Sequence, residues 1–287
     1  MSQTTTLSKG NCHCGKNRFE VELPSGPVTS CNCSLCAKQG YLWAFPAEGS
    51  IKYTKGNGDT LMTYFSGVLK HDFCKICGTG LYGTHTAGPL AGSPGVNVRA
   101  ILELNPFRVE VSEADTKAHV KETPALVPPE LKTNPPPAEL EGDDIKLYTG
   151  SCECGRVSIA VKTPPLAKVE RINEDNCSIC VRNGGIGIYP DRTQVAILGR
   201  EHTTEYRHGR KFNGAPFCAT CGVHVYGNLY GPPREVVERL PEEKQRMVEG
   251  MLRIQPLNIR VLEGVEWDEV KVVRDDCGTE GYVVPDD

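Results

Sequence analysis

The chain has 287 residues, with 32 Lys and Arg against 36 Asp and Glu for a formal charge of −4 at pH 7. That length excludes a miniature scaffold, and the charge excludes the broadly basic surface that holds nucleic acid by counterion release. With 39% hydrophobic and 24% charged residues, and no run approaching the roughly 18 apolar residues of a membrane span, the composition is that of a soluble globular protein.

Residues 1–10 are rich in Ser and Thr and lack an apolar signal core, so a cytoplasmic chain is expected, with neither nucleic acid nor membrane as partner. The first clear element follows, where Phe19, Val21 and Leu23 alternate with Arg18, Glu20 and Glu22, the period of a half-buried strand. Further short strands are predicted at 51–54, 61–65, 96–102 and 107–111. Residues 117–148 contain Pro124, Pro128, Pro129, Pro135, Pro136 and Pro137, which predicts an extended linker with no packed element. Strand alternation resumes at Val157, Ile159 and Val161, then at 195–198 and 270–273. Between these, residues 232–253 carry Val236, Val237, Leu240, Met247, Val248 and Met251 at helical spacing, and Pro241 is suited to open a second short helix. The apolar stripe of this insertion is expected to pack on its own domain.

The strand-linker-strand layout is a repeat. The first half reads Gly10-Asn11-Cys12-His13-Cys14-Gly15, then Cys31-Asn32-Cys33-Ser34-Leu35-Cys36, then Phe73-Cys74-Lys75-Ile76-Cys77-Gly78. The second half answers in order with Gly150-Ser151-Cys152-Glu153-Cys154-Gly155, Asp175-Asn176-Cys177-Ser178-Ile179-Cys180 and Phe217-Cys218-Ala219-Thr220-Cys221-Gly222. Asn97 and Arg99 return as Asn258 and Arg260. Two copies of a mainly β domain are therefore expected, at 9–116 and 149–274.

Fourteen cysteines in a chain read as intracellular point to metal, because reducing compartments do not maintain structural disulfides. Cys12, Cys14, Cys74 and Cys77 come from two distant turns, as do Cys152, Cys154, Cys218 and Cys221; each set suits a closed, structural zinc site of four thiolates. Cys31, Cys33 and Cys36 differ, since three sulfurs within six residues leave a fourth position for water or substrate, the arrangement of a catalytic zinc. A thiolate-rich ion favours a soft incoming sulfur. Closure by a distant His13, His71 or His85 would instead make the site structural. In the second copy the first thiolate is replaced by Asp175, beside Cys177 and Cys180; that middle site is expected to be degenerate, and Cys277 to be a spare thiol with no counterpart in the first half.

On these motifs each half resembles the glutathione-dependent formaldehyde-activating enzyme (GFA) family, also called the CENP-V/GFA domain, over residues 9–112 and 149–272. The resemblance implies tandem Mss4-like folds, a structural zinc at each outer set of cysteines and a catalytic zinc on Cys31, Cys33 and Cys36. It also implies a carbon-sulfur lyase that makes or breaks a glutathione adduct of an aldehyde such as formaldehyde. The competing reading is a zinc-stapled binding or scaffold module without catalysis.

Outside the clusters, Lys38 is a candidate to offset the charge of three sulfurs or to hold a substrate carboxylate, and Ser34 to bond a thiolate. Tyr41, Trp43 and Phe45 are expected in the core. Asn97 and Arg99, repeated in both halves, are expected to be structural and to share one strand face. The two domains are expected to dock on each other.

Overall fold

The alternating apolar positions of the first copy form the strand Arg18–Pro24, which runs antiparallel to both Thr5–Asn11 and Lys52–Lys55 and buries Phe19, Val21 and Leu23 on one face. The second copy builds the same three-stranded unit from Lys146–Ser151, Ser158–Thr163 and Val195–Leu198. The computed structural model describes residues 4–56, 58–119, 128–133, 136, 140 and 144–285. The remaining strands of the first half join one seven-stranded sheet, whereas those of the second divide into a four-stranded and a three-stranded sheet.

In both halves the strand entering the middle cysteine cluster has an unusual neighbour. Val28–Cys31 pairs in parallel with Val111–Ala114, and Asn173–Asp175 pairs in parallel with Val273–Asp275. These late strands are displaced from the predicted 107–111 and 270–273 because local alternation says nothing about where a distant parallel partner sets the register. The predicted strand 96–102 is also shorter. It stops at Asn97, whose Oδ1 accepts from Arg99 N and turns the chain into the 3-10 segment Val98–Ala100, so Asn97 and Arg99 do not share a strand face.

The linker is not wholly extended: Pro129–Thr133 is a short helix that buries Leu131 against Ser158–Thr163. Pro124, Pro135 and Pro137 lie outside the described residues. The insertion forms two helices, Arg234–Val237 and Glu242–Leu252, the second opened by Pro241. Neither buries a residue, and Val236, Met247 and Met251 are 47%, 62% and 52% exposed. The expectation that the whole stripe packs inward fails because Glu242–Leu252 carries five charged residues in eleven and turns Met247 and Met251 to solvent, while Val248 and Leu252 approach Gly231.

The halves meet through matched contacts. Gly40 and Gly184, both in left-handed conformation at the ends of corresponding helices (φ 60° and 59°), abut so closely that a Cβ on Gly184 would lie 2.4 Å from Gln39 O. Arg99 Nε donates to Gly40 O at 2.5 Å and Arg260 Nε to Gly184 O at 2.7 Å, and both guanidiniums reach Glu174. Burial alone would raise the Glu174 pKa, but Arg99, Arg260 and Arg274 hold it below the usual carboxylate value. Phe73 and Phe217 meet edge to face, each ring lying where a Cβ on Gly222 or Gly78 would otherwise be. One apolar cluster runs from Cys31, Leu35, Tyr41 and Trp43 of the first half into Ile159, Ile172 and Leu257 of the second.

Candidate metal centres and substrate cavity

Each outer set converges as its spacing implies. Gly15, Gly78, Gly155 and Gly222 adopt positive φ just after the cysteine pairs and fold the sulfurs inward, a turn that disfavours any residue with a Cβ. Cys12 Sγ lies 3.4 Å from Cys14 Sγ, which lies 3.6 Å from Cys74 Sγ; the corresponding distances at Cys152, Cys154 and Cys218 are 3.6 and 3.5 Å. All four donors of each set, completed by Cys77 and Cys221, lie within 4.8 Å of one another, and every cysteine is free of disulfide. A tetrahedral ion with metal-sulfur bonds of about 2.3 Å would hold its sulfurs about 3.8 Å apart, so both sets fit such an ion. Asn17 N and Val157 N point at Cys12 Sγ and Cys152 Sγ from 3.3 Å, a donor placed to stabilise a ligating thiolate.

The two middle clusters are built on the same frame and differ in what surrounds them. In the first half, Cys31 ends its strand, Cys33 precedes the helix Ser34–Gln39 and Cys36 lies on it. The fourth corner, expected to be free, is taken by His85 at the end of the strand Gly80–His85: its Nε2 stands 3.6 Å from Cys36 Sγ and within 4.8 Å of all three sulfurs. All four donors are buried. Burial pushes the Cys36 thiol well up, the direction expected of sulfurs that ionise together only around a cation. Trp43 Nε1 donates to Cys36 Sγ at 3.2 Å, and Tyr41 packs edge-on to Trp43. Tyr41 and Trp43 are buried as expected, and they fill the space beside the cluster.

In the second half Asp175, Cys177 and Cys180 lie within 4.8 Å of one another and all are partly exposed. The equivalent strand pairing, Thr29 with Trp43 and Asn173 with Gly187, aligns Trp43 with Gly187 and Tyr41 with Gly185. Leu229 occupies the place after Cys221 that His85 occupies after Cys77. Two aromatic rings and an imidazole are thus replaced by two glycines and an aliphatic chain. The result is a cavity of about 150 Å³, lined by Asp175, Cys180, Gly185, Gly187, Tyr189 and Tyr226 among others. Asn173 Oδ1 and Asn183 Oδ1, on two further lining residues, are buried without a hydrogen-bond partner among the described residues, an arrangement that calls for a donor from outside the chain.

Comparison with known proteins bears on both halves. The family model described as glutathione-dependent formaldehyde-activating enzyme matches residues 7–103 and 147–239. The chain belongs to the GFA family. A crystal structure of a Rhodobacter sphaeroides protein is 29% identical over 36% of this chain and 99% of that one, with a TM-score of 0.32 that carries no weight for the fold.

Other expected site residues of this GFA chain take part in contacts between its halves. Lys38 is 14% exposed at its side chain and pairs with Glu153 Oε2 at 3.1 Å, while Ser34 Oγ donates to Glu153 Oε1 at 2.5 Å. Both are engaged by the opposite half. His13, placed in the first half as Glu153 is in the second, bonds Ser178 Oγ at 3.1 Å and Tyr206 OH at 2.9 Å. Each outer turn therefore rests on the middle cysteine segment of the other half. Asn97 Nδ2 donates to Gly80 O and Asn258 Nδ2 to His224 O, so the repeated Asn is structural.

Cys277 does have a positional counterpart. Ala114 pairs with Cys31 and Asp275 with Asp175, which aligns Thr116 with Cys277. Asn32 Oδ1 accepts from Lys117 N and Asn176 Oδ1 from Gly278 N, in keeping with that alignment. Thr116 Oγ1 lies 3.2 Å from Cys31 Sγ, and Cys277 Sγ lies 3.4 Å from Asp175 Oδ1. Sequence comparison missed the pair because the late strands align with an offset that the cysteine motifs do not share. No helix among the described residues is long and apolar enough to cross a membrane.

Proposed function

We propose that the protein is a zinc-dependent carbon-sulfur lyase for thiol adducts of a small aldehyde, and that the reaction takes place in the second half. The observation that carries this reading is the replacement of Tyr41 and Trp43 by Gly185 and Gly187, which leaves a cavity against Asp175 and Cys180. The first-half cluster, with His85 as a fourth donor and Trp43 as its wall, is assigned to stability, as are the two outer sets of four cysteines. Three protein ligands with an accessible fourth side are the usual arrangement of a reactive zinc, and a carboxylate among them is the donor most easily displaced by sulfur.

Zinc held there would supply Lewis acidity that keeps a thiol ionised or polarises a carbonyl at neutral pH. In the direction of adduct formation the S–H bond and the carbonyl π bond break, the sulfur electron pair forms the C–S bond, and the proton ends on the former carbonyl oxygen. Cleavage is the reverse. Ile186, Leu257 and Pro256 give the cavity an apolar wall. Asn173 Oδ1 and Asn183 Oδ1 are acceptors for the adduct hydroxyl or an amide N–H. Arg171 and Arg200 lie over the rings of Tyr189 and Tyr226, 5.2 and 4.7 Å from their centroids, where they offer positive charge to the carboxylates of a thiol such as glutathione.

The test is exchange between formaldehyde and its glutathione adduct, followed by NMR with metal-replete protein and with Gly187→Trp. Acceleration over buffer that Gly187→Trp removes, with zinc content unchanged, is the expected result. A rate equal to buffer would leave the zinc-stapled module as the better reading.

A further inference from the structure

The donors of the second middle site that lie within 4.8 Å of one another are Asp175, Cys177 and Cys180, and Cys277 stands at their edge, against Asp175. In space, the first half sets Cys31 beside Thr116, and the second sets Asp175 beside Cys277, at matching positions two residues after a parallel strand pairing. The oxygen and the sulfur have changed places across the same pair of chain segments. We propose that Cys277 is a metal ligand, so that the second half binds its ion through Cys177, Cys180 and Cys277 with Asp175 as the oxygen donor.

Two observations support this. The 3.4 Å separation of Cys277 Sγ and Asp175 Oδ1 is close to the roughly 3.5 Å edge that bonds of about 2.3 and 2.0 Å subtend at a tetrahedral ion. The segment that presents Cys277 is anchored on both sides. Upstream, Asp276 takes hydrogen bonds from Asn105, Asn176 and Arg108; downstream, Gly278 N binds Asn176 Oδ1 and Tyr282 OH donates to His13 O. Counting Cys277, each middle site would hold three sulfurs, which suits a soft ion. With Cys277 as a further donor, the Asp175 carboxylate, the one oxygen among sulfurs, would be the ligand that yields its place to a substrate thiol, and the accessible side required above would open there. The inference rests on the second half holding the exchangeable metal site, as proposed above. Its test reads ligation and not turnover, so the two can fail separately.

Cys277 is exposed, and a free exposed thiol alkylates readily, whereas a ligating thiolate does not. In the metal-replete full-length chain, alkylation at Cys277, followed by peptide mass spectrometry, should be at least tenfold slower than in Cys177→Ala, which dismantles the site. Equal rates in the two proteins would overturn the proposal. Should Cys177→Ala fail to fold, cadmium-substituted wild type and Cys277→Ser give a second reading by cadmium NMR. One resonance should move toward the range of sites with fewer sulfurs on going to Cys277→Ser; an unmoved set of resonances would overturn the proposal equally.

Discussion

The two middle clusters share a frame and diverge in their lining. Around Cys31, Cys33 and Cys36 the chain supplies a fourth donor in His85 and two aromatic walls, and buries all of it. Around Asp175 and Cys180 it supplies Gly185, Gly187 and a cavity. The half with the fuller set of motif cysteines is thus the more closed, which teaches that ligand count along the sequence is a poor guide to where a substrate can enter. On the proposed reading, one copy holds the molecule together while the other keeps room for chemistry.

The largest effect expected is on turnover. Cys180→Ala, which removes a second-half donor, should lower adduct exchange by at least about 100-fold while the protein stays folded, and Gly187→Trp should do nearly as much by filling the cavity. Both follow from steady-state exchange rates on proteins of verified zinc content. If Cys33→Ala gave the greater loss at equal folded fraction, the assignment of roles would be reversed.

Next in size is stability in the first half. Trp43→Gly would open a cavity where none is tolerated and remove the indole N–H from Cys36, costing about 3–5 kcal/mol in denaturant unfolding. Its second-half mirror, Gly187, already has that cavity, so the contrast isolates packing from ligation. Glu174→Gln should cost a comparable ~3–5 kcal/mol, because the buried guanidiniums of Arg99 and Arg260 lose their shared counter-charge. Lys38→Met, by contrast, should leave exchange within about twofold of wild type and alter stability by about 1–3 kcal/mol through the stranded Glu153.

The smallest effect is on pH dependence. Burial lowers the pKa of His71 to about 3 and that of His224 to about 4, so both are neutral in the folded protein near neutral pH. Their contribution is fully present above the unfolded value of about 6.5 and is lost as pH falls toward the folded values, by about 1 kcal/mol each between roughly pH 6.5 and 5.5. Unfolding midpoints at constant zinc content should show about half of that decline in His71→Asn. An undiminished decline would place the titration elsewhere.

Much of this architecture was legible in the sequence. Period-two alternation found the strands around Phe19 and Ile159, the ordered cysteine motifs found the duplication and all four clusters, and Pro241 marked the second helix of the insertion. What escaped lies in contacts between distant segments. His85 reaches Cys36 across 49 residues, and Cys277 reaches Asp175 only through a parallel strand whose register no local pattern encodes. Lys38 and Ser34 meet Glu153 of the other half, a contact that no local pattern announces. The signal for the cavity was present all the same: Gly184-Gly185-Ile186-Gly187 stands where the first half has Gly40-Tyr41-Leu42-Trp43, and a paired loss of large side chains beside a ligand helix marks a space as surely as a motif does.

The most direct test of the division of labour is a cobalt-substituted protein titrated with glutathione. Spectral change should be confined to one site, should vanish in Gly187→Trp and should persist in His85→Gln. Change that persists in Gly187→Trp and disappears in His85→Gln would contradict the assignment and return the chemistry to the first half.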